Sequence, residues 1–535
     1  MPIPIIDIFA GPGGLGEGFS AFINEENDRA FKIALSIEKD TLAHQTLRLR
    51  SFFRQFAPNE IPDDYYSFTR GEMTINDLYD RWPEQAAHAR QEAWCGTLGD
   101  PDERDLNAVS DEEVDQRIKE VLKGETNWLL IGGPPCQAYS IVGRSRRQEK
   151  ILNEQTDKRV GLYKQYLRIL AVHSPAIFVM ENVKGILSAE TSENQVFSKI
   201  LNDLSDPASS YLSDNDAAGA EIQYPSYRIY SLVNPPDQID IYGNPEYQHK
   251  KFVIKAEEHG VPQTRHRVIL LGVRSDIDVI PGIIPRHAEV PVSDVIGGLP
   301  ALRSALSKSE NTFENWRALI SGILGEGVMA GADEAVKAAI RNRADNMEEP
   351  SFGTGADFIP LAGTVTNYLP EWYLDPRIGG VLNHASRAHM DSDLHRYLFV
   401  SSFGRVKGIS PKLSDFPEQL LPAHGNVREG IEEKKFADRF RVQLANRASK
   451  TITSHISKDG HYYIHPDPAQ CRSLTVREAA RLQTFPDNYY FCGPRTSQFH
   501  QVGNAVPPYL AFQIASVVNQ VFEQVFANLA HDLRH

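Results

Sequence analysis

Cys136 is the residue whose type and surroundings indicate chemistry most directly. It follows an apolar run and lies in a loop that Pro134 and Pro135 hold stiff. A cysteine thiolate is the most nucleophilic protein group at neutral pH, so this position favours covalent catalysis. The alternative is a small buried hydrophobic side chain, which is what most free cysteines are.

A carboxylate and two arginines occupy comparable positions near other apolar runs. Glu181 opens the sequence Glu-Asn-Val after one run, where a carboxyl group of raised pKa could protonate or hydrogen-bond a ring nitrogen. Arg265 and Arg267 precede the last run and share a parity on an extended chain, so both could bind a carbonyl oxygen or a phosphate at one site. A helix cap or ion pair at Glu181, and ordinary surface charges at the arginines, are the alternatives.

Glycines after the first apolar run indicate a nucleotide-like cofactor. Gly11, Gly13 and Gly16 satisfy G-x-G-x-x-G, a spacing that lets the backbone approach a ligand closely. Glu38 follows the next run, 22 residues beyond Gly16, where an acidic side chain can accept hydrogen bonds from ribose hydroxyls. Together these residues predict an adenosine-containing cofactor, and the alternative is a tight turn with a surface glutamate.

The elements that must position these residues are predicted to be the strands of a doubly wound α/β sheet. Continuous apolar runs alternate with helical stretches in the first 275 residues, as expected for strands buried on both faces. Ligands of such sheets bind outside the carboxyl ends of the strands, where Glu38, Cys136 and Glu181 fall. The predicted strands are Ile5–Phe9, Ile33–Ile37, Trp128–Ile131, Ala176–Met180, Tyr227–Leu232 and Val268–Leu271.

The composition divides the chain into three parts. Residues 1–275 form the predicted catalytic, cofactor-binding domain, with an acidic insertion at 41–125. Residues 276–471 are rich in Gly, Pro, Asn, Ser and His and have few periodic runs, which predicts a mostly irregular or β second domain. Residues 472–535 return to the first domain: a capping box at Thr475 opens one helix, and apolar residues at helical spacing predict a C-terminal helix.

Charge and composition leave nucleic-acid binding open. The net charge of −14 opposes a polyanion, but it is local, because residues 60–125 carry 18 acidic against 7 basic residues. Residues 384–472 carry 14 basic against 10 acidic residues and seven histidines. The lack of a long apolar run or a secretory leader predicts a cytoplasmic protein that does not enter membranes. Four scattered cysteines exclude a disulfide framework, and no metal is expected, even at His461, His465 and Cys471.

Six blocks of the sequence, in order, resemble the motifs of the DNA (cytosine-5)-methyltransferases of bacterial restriction–modification systems. The resemblance implies a Rossmann-like S-adenosylmethionine-dependent methyltransferase domain with a target-recognition domain at 276–471. Pro-Cys-Gln and Glu-Asn-Val are its most diagnostic parts. The blocks are Asp7–Phe19, Gly133–Ser140, Glu181–Val183, Gln263–Arg267, Arg472–Pro486 and Gln501–Pro507.

The resemblance also implies a role for each matched residue. Cys136 would attack carbon 6 of a flipped-out cytosine, and Glu181 would stabilise charge at ring nitrogen 3. Arg267 would hold the carbonyl at carbon 2, and Arg265 would orient substrate or backbone. Asp100 would contact the adenine amine, at a wider spacing from the cysteine than the family pattern implies. The cofactor pocket would be lined by Phe9, Gly11, Gly13, Gly14, Glu38, Leu162, Asn504 and Val506.

The predicted partner is double-stranded DNA, which would associate the protein with the nucleoid. A plain β-strand at Thr451 is as good an interpretation as a DNA-backbone contact there. A cognate restriction endonuclease would act on the same site without direct contact, and the enzyme would be a monomer. The candidate DNA contacts are Gln137, Ser140, Arg387, His389, Arg405, Lys450 and Thr451.

Three alternatives compete with DNA cytosine methylation. A transfer-RNA cytosine methyltransferase would share the motifs, but a recognition region of about 195 residues is large for it. An inactive DNA-binding regulator would lack the nucleophile or the acid, and both are present. A dinucleotide-dependent oxidoreductase would leave the Pro-Cys-Gln and Glu-Asn-Val blocks unexplained.

Overall fold

All six strands predicted from the apolar runs belong to one central sheet of eight strands. The computed structural model describes residues 2–26, 28–99, 104–134, 158–187, 194–213, 225–422 and 439–532. The described strands are β1 (Ile3–Ile8), β2 (Phe31–Glu38), β3 (Ala93–Cys95), β4 (Leu129–Gly132), β5 (Ile177–Val183), β6 (Tyr227–Ser231), β7 (Gln238–Ile239), β8 (Pro245–Glu246), β9 (Val253–Lys255), β10 (Gln263–Thr264), β11 (His266–Arg274), β12 (Ala305–Leu306), β13 (Gly355–Pro360), β14 (Gly380–Ala385), β15 (Ala388–His389) and β16 (Ser449–Lys450).

Helices connect the strands and include both helices predicted near the C-terminus. The Thr475 capping box is confirmed, since its hydroxyl accepts a hydrogen bond from Glu478 N at 3.2 Å and Glu478 Oε2 accepts one from Thr475 N at 2.7 Å. None of the described helices combines the length and apolar character needed to cross a bilayer. The helices are α1 (Gly14–Ser20), α2 (Thr41–Arg54), α3 (Asp63–Thr69), α4 (Ile75–Arg81), α5 (Pro83–Glu92), α6 (Asp111–Leu122), α7 (Lys158–His173), α8 (Asn194–Ser205), α9 (Pro207–Ser213), α10 (Val292–Ile296), α11 (Phe313–Ser321), α12 (Glu334–Asp345), α13 (Pro370–Tyr373), α14 (Asp391–Lys407), α15 (Val476–Leu482), α16 (Arg495–Asn504) and α17 (Pro508–Asp532).

The central sheet is doubly wound, as predicted. Its order is β3-β2-β1-β4-β5-β11-β6, with β9 also paired to β11. Strands β1 to β5 are parallel, whereas β11 runs antiparallel to β5, β6 and β9. Apolar side chains of α1 and α17 cover one face, and those of α6, α7 and α8 cover the other. The carboxyl ends of β1, β2, β4 and β5 therefore meet at one edge, where a ligand can reach them.

The acidic segment 41–125 does more than add charge. It contributes β3, the edge strand beside β2, which the sequence did not predict. It also buries an aromatic cluster that includes Phe52 and Tyr65 and packs against Ile378, Leu382 and Cys492. The segment predicted as an acidic insertion thus joins the N-terminal sheet to residues far along the chain.

Residues 276–471 contain more helix than their composition indicates. Trp316, Ile340 and Tyr397 come from α11, α12 and α14 and pack in one apolar cluster. A second cluster joins Val292 and other residues of this region to Leu474 and neighbours beyond residue 471. The second cluster holds residues 276–471 against the C-terminal helices, which in turn pack on the central sheet.

Candidate active site

The glycine loop after β1 holds Glu38 at the end of β2. Gly11, in the left-handed region at φ 59°, donates its backbone N–H to Glu38 Oε2 at 2.7 Å. The backbone N–H of Asp40 donates to Glu38 Oε1, also at 2.7 Å. Burial raises the pKa of Glu38. A carboxylate has about four lone-pair positions, so this one can still accept hydrogen bonds from two hydroxyls of a ligand.

The C-terminal part of the chain closes against the same loop. A side chain at Gly14 would collide with the backbone carbonyl oxygen of Val506, so only glycine allows this approach. The Tyr489 hydroxyl donates a hydrogen bond to the carbonyl oxygen of Pro12. Asn504 ends α16 and is exposed beside this contact. The structure thus brings together the predicted cofactor residues from both ends of the chain.

Three of the remaining predicted cofactor residues can be located in the structure, and one cannot. Phe9 is half-buried at the end of β1 with φ 57°, and Gly13 (φ 96°) is the N-cap of α1. Leu162 lies half-buried on α7. Asp100 lies outside the described residues.

Asp105 is an acidic residue near β3 that the sequence analysis did not single out. Asp105 and Glu38 both raise the pKa of the Cys95 thiol, after the larger effect of burial, so both carboxylates lie in the neighbourhood of that thiol. The neighbouring Leu106 is 98% exposed, although it is a large apolar side chain. The signal in the sequence was the Asp-Leu pair shortly after the Ala-Trp-Cys strand.

Asp7 is an unpaired carboxyl group beneath the glycine loop. Its two oxygens are buried and have no hydrogen-bond partner among the described residues. Burial raises its pKa to about 8. A Cβ atom at Gly16 would lie 3.2 Å from Asp7 Oδ2, so the carboxyl group faces the first turn of α1. Sequence reasoning placed Asp7 in a motif block but gave it no role.

Glu181 and Arg267 form an ion pair at the ends of β5 and β11. Arg267 Nε lies 2.7 Å from Glu181 Oε1, and the two side chains are 15% and 14% exposed. A Cβ atom at Gly133 would lie 3.1 Å from Glu181 Oε2, so the loop that leads to Cys136 runs beside this carboxylate. The nucleophile candidate itself, with Gln137 and Ser140, lies outside the described residues.

Arg265 has a different environment from Arg267. Its guanidinium is buried and donates hydrogen bonds to the carbonyl oxygens of Ile452 at 2.7 Å and Gly503 at 3.3 Å. Burial lowers its pKa. These contacts favour the second part of the predicted role, which is to orient the backbone, over direct contact with a substrate.

Two buried glutamines extend this junction towards the glycine loop. Gln263 Oε1 accepts a hydrogen bond from Ile452 N at 2.6 Å, and Gln263 Nε2 donates to the side-chain oxygen of Gln483. Gln483 Nε2 in turn donates to the carbonyl oxygens of Val502 at 3.0 Å and Ala505 at 2.7 Å. The junction therefore connects residues 276–471 with the segment that packs on Gly14.

The block at 472–486 supports the fold with three fully buried arginines. Arg472 forms an ion pair with Glu478 at 2.6 Å, and Arg481 forms one with Asp487, also at 2.6 Å. Burial opposes ionisation of Glu478, but the charge of Arg472 outweighs it and holds the pKa of Glu478 below its usual range. Arg477 donates to three backbone carbonyls instead. These side chains are internal and leave no donor for a ligand.

The candidate DNA contacts separate into accessible and internal residues. Lys450 and Arg405 are exposed. Thr451 donates its hydroxyl to the carbonyl oxygen of Thr264 at 2.7 Å, just after the short strand β16. His389 is 5% exposed and packs on the Tyr397 ring, so the expectation of a DNA contact there is not supported. Arg387 likewise has internal partners, donating to the Ile456 carbonyl oxygen at 2.8 Å and lying over the Phe499 ring.

The three residues considered for a metal site have separate partners. His461 Nδ1 lies 2.8 Å from the Tyr397 hydroxyl, and His465 Nδ1 accepts a hydrogen bond from Asp467 N. The Cys471 thiol donates to the carbonyl oxygen of Pro468. Within the described ranges, no group of three or more His, Cys, Asp or Glu side chains is arranged to hold a metal.

The sheet order, the glycine loop and the acidic residue after β2 define an α/β enzyme that binds a nucleotide-like cofactor. The chain belongs to the C-5 cytosine-specific DNA methylase family, whose sequence profile matches residues 103–209 and 240–520. The predicted family, the α/β fold class and the assignment as a DNA (cytosine-5-)-methyltransferase are therefore confirmed.

Curated relatives match the chain over most of its length. Type II methyltransferase M.Bpa9945I of Bacillus paralicheniformis is 32% identical over 532 residues, covering 97% of this chain and 98% of the relative. Type II methyltransferase M.DdeI of Desulfomicrobium norvegicum is 26% identical over 545 residues, covering 99% and 91%. DNA (cytosine-5-)-methyltransferase M.ApeKI of Aeropyrum pernix is 25% identical, covering 76% and 83%.

Proposed function

We propose that this chain transfers a methyl group from S-adenosylmethionine to carbon 5 of a flipped-out cytosine in a specific double-stranded DNA sequence. The observation that carries the proposal is the Glu181–Arg267 ion pair beside the loop that leads to Cys136. A carboxylate, a guanidinium and a thiol are the three groups that activation of a cytosine ring requires. The position of Glu181 and Arg267 at the ligand-binding edge of the sheet supports this use.

The residues at the ends of β1 and β2 fit S-adenosylmethionine. Glu38 keeps lone pairs for the ribose hydroxyls, and Gly14 lets Val506 close the pocket. Asp105 takes the place of Asp100 as our candidate for the adenine amine, with Leu106 against the ring. The cofactor, when bound, supplies an electrophilic methyl group on a sulfonium.

Cys136 starts the reaction by adding its thiolate to carbon 6 of the cytosine. This breaks the aromaticity of the ring and makes carbon 5 an enamine nucleophile. The carboxyl group of Glu181 gives a proton to ring nitrogen 3 as negative charge develops there and takes it back when the thiolate leaves. Arg267 holds both Glu181 and the carbonyl at carbon 2. After methylation, a base removes the proton from carbon 5, and the electrons of that bond re-form the double bond and expel the thiolate. The target base must leave the duplex, since none of these atoms is reachable within the stack.

Arg265 is assigned a positioning role in this proposal. Its hydrogen bonds to the carbonyl oxygens of Ile452 and Gly503 fix the strand that carries Arg267 against the recognition region. Residues 276–471 are proposed to recognise the target sequence, with Lys450 and Arg405 as exposed cations for phosphates. Methylation would protect host DNA from a cognate restriction endonuclease that acts on the same sequence.

A DNA duplex with 5-fluorocytosine at the target tests the covalent step. The carbon-5 fluorine cannot leave as a proton does, so the Cys136 adduct should accumulate in the presence of S-adenosylmethionine. Mass spectrometry of the protein should show the mass of enzyme plus methylated DNA for the natural chain and no such species for Cys136→Ser. Methylation of ordinary DNA without an adduct on the fluorinated duplex would contradict covalent attack at carbon 6.

A further inference from the structure

A cleft outside the proposed active site lies between α2 and α4. Its volume is about 700 Å³, and Arg90 of α5 and Cys95 of β3 complete its wall. Arg48 projects from α2, and Tyr79 projects from α4. All of these residues belong to the acidic segment 41–125, and none of them has a role in the proposed methylation mechanism.

The cleft contains two arginines without carboxylate partners. Among the described residues, neither Arg48 nor Arg90 lies within ion-pair distance of a carboxylate, although Asp80 also lines the cleft. Other arginines of the segment are paired, for example Arg81 with Asp64 at 2.6 Å. Arg48 and Arg90 lie in the segment 41–125, which carries 18 acidic and 10 basic residues. That neither arginine is within ion-pair distance of a carboxylate among the described residues favours binding of an anion.

Two buried hydrogen-bond donors also favour binding of an anion in the cleft. The Tyr79 hydroxyl and Arg48 Nε are both buried and have no hydrogen-bond partner in the described part of the chain. The Arg48 guanidinium lies 4.5 Å from the centre of the Tyr79 ring, so the two donors are neighbours. Burial lowers the pKa of Arg48, and the positive charge of Arg90 lowers it further. A bound anion would satisfy the donors and relieve this repulsion.

His44 does not add charge to the cleft. Its Nε2 lies 3.1 Å from the carbonyl oxygen of Ala93, which requires a proton on that nitrogen. Burial lowers the pKa of His44, so the ring stays neutral near pH 7. The attraction for an anion therefore rests on Arg48 and Arg90, with the Tyr79 hydroxyl as a neutral donor.

We propose that this cleft is a second binding site, which takes a phosphate group carried on a nucleoside or sugar. Guanidinium groups bind phosphate oxygens in pairs, and the tyrosine hydroxyl supplies a third donor for the remaining oxygen. A volume of about 700 Å³ exceeds a bare phosphate and leaves space for the group that carries it. The phosphate comes either from a free mononucleotide or from the DNA backbone outside the target base pairs.

The site adjoins the proposed ribose carboxylate. Cys95 lines the cleft and is paired with Glu38 in the register between β2 and β3. Helix α2, which carries Arg48, starts at its N-cap Asp40, two residues beyond Glu38. Occupation of the cleft is therefore expected to change the KM for S-adenosylmethionine rather than kcat.

The test compares Arg48→Gln, Arg90→Gln and Tyr79→Phe with Arg81→Gln as the matched control. Arg81 is an exposed arginine of the same segment that is already paired with Asp64. Titration calorimetry with inorganic phosphate and with adenosine monophosphate measures the free ligand. A DNA-binding series at several salt concentrations measures the backbone contact. Arg90 is exposed and Tyr79→Phe removes only a hydroxyl, so both keep the test valid if Arg48→Gln fails to fold.

Two results would support the proposal, and they distinguish a free mononucleotide from the DNA backbone as the source of the phosphate. For a free ligand, adenosine monophosphate binds the natural chain and Arg81→Gln, and its affinity falls at least about tenfold in the other variants, as expected for loss of a charged hydrogen bond. For the DNA backbone, the slope of log affinity against log salt falls by about 0.9 in Arg48→Gln and Arg90→Gln but not in Arg81→Gln. Absence of nucleotide binding together with unchanged salt slopes would overturn the site. Methylation at saturating cofactor stays unchanged in either supporting case, which separates this proposal from the catalytic one.

Discussion

The surroundings of Arg265 and Arg267 differ sharply although one residue separates them. Arg267 is 15% exposed and pairs with Glu181 at the edge where ligands reach the sheet. Arg265 is 2% exposed and donates to the backbone carbonyls of Ile452 and Gly503. Arg267 is thus partly accessible at the edge of the sheet, whereas Arg265 is internal and joins three distant segments.

The reason for the difference lies in strand pairing. β10 ends at Thr264 and pairs with β16, whereas β11 begins at His266 and pairs with β9 and β5. Arg265 lies between the two strands, where the chain changes partners. Equal parity on an extended chain therefore does not place the two guanidinium groups in one site. Exposure and partners decide which arginine can do chemistry.

Glu181→Gln tests the ion pair of Glu181 and Arg267 at the edge of the sheet, and we expect it to have the largest effect. We expect kcat to fall about 10³-fold, because the glutamine amide cannot give a proton to ring nitrogen 3 as negative charge develops there. The midpoint of thermal unfolding should change little, since the ion pair is partly solvated. Single-turnover transfer of labelled methyl groups and calorimetry measure the two quantities. A loss below about tenfold would remove Glu181 from the chemical step.

Arg265→Met tests the buried junction around Arg265. We expect it to lower stability more than it lowers kcat. Two buried carbonyl oxygens lose their donor, so the free energy of unfolding should fall by about 2–4 kcal/mol. The remaining folded enzyme should retain a larger fraction of kcat than Glu181→Gln does. Chemical denaturation followed by circular dichroism gives the stability. Natural stability with kcat as low as that of Glu181→Gln would show that Arg265 acts on the substrate.

Glu38→Gln sharpens the comparison by altering binding without touching the cytosine. The KM for S-adenosylmethionine should rise about tenfold to a hundredfold, the cost of weakening a hydrogen bond to a charged group. The kcat at saturating cofactor should stay within a few-fold of the natural value. Initial rates across a cofactor series measure both constants. A fall in kcat at unchanged KM would contradict a ribose-binding role.

Sequence reasoning found the strands and strand ends because their chemistry is local. Apolar runs such as Val268–Leu271 are buried on both faces, so they are continuous in the sequence. β3 (Ala-Trp-Cys) has only three residues, so it is too short to stand out as an apolar run. In α14 nearly every residue from Asp393 to Gly404 is buried, which removes the helical periodicity that marks a surface helix.

The partners of polar side chains were the part that sequence could not supply. Gln263 and Gln483 are separated by 220 residues, and nothing in either neighbourhood indicates their hydrogen bond. Asp105 could be related to Glu38 only once the position of β3 was known, because both carboxylates act on the Cys95 thiol at the end of that strand. His389 was expected to contact DNA because it lies in a basic stretch of the sequence, but its side chain is internal.

The most direct test of the proposed function is bisulfite sequencing of DNA from cells that express this chain. Cells that express Cys136→Ser serve as the control. We expect protected cytosines at one position of a short recurring sequence with the natural chain and none with the variant. An equal level of conversion at every sequence in both samples would contradict sequence-specific cytosine-5 methylation of DNA by this protein.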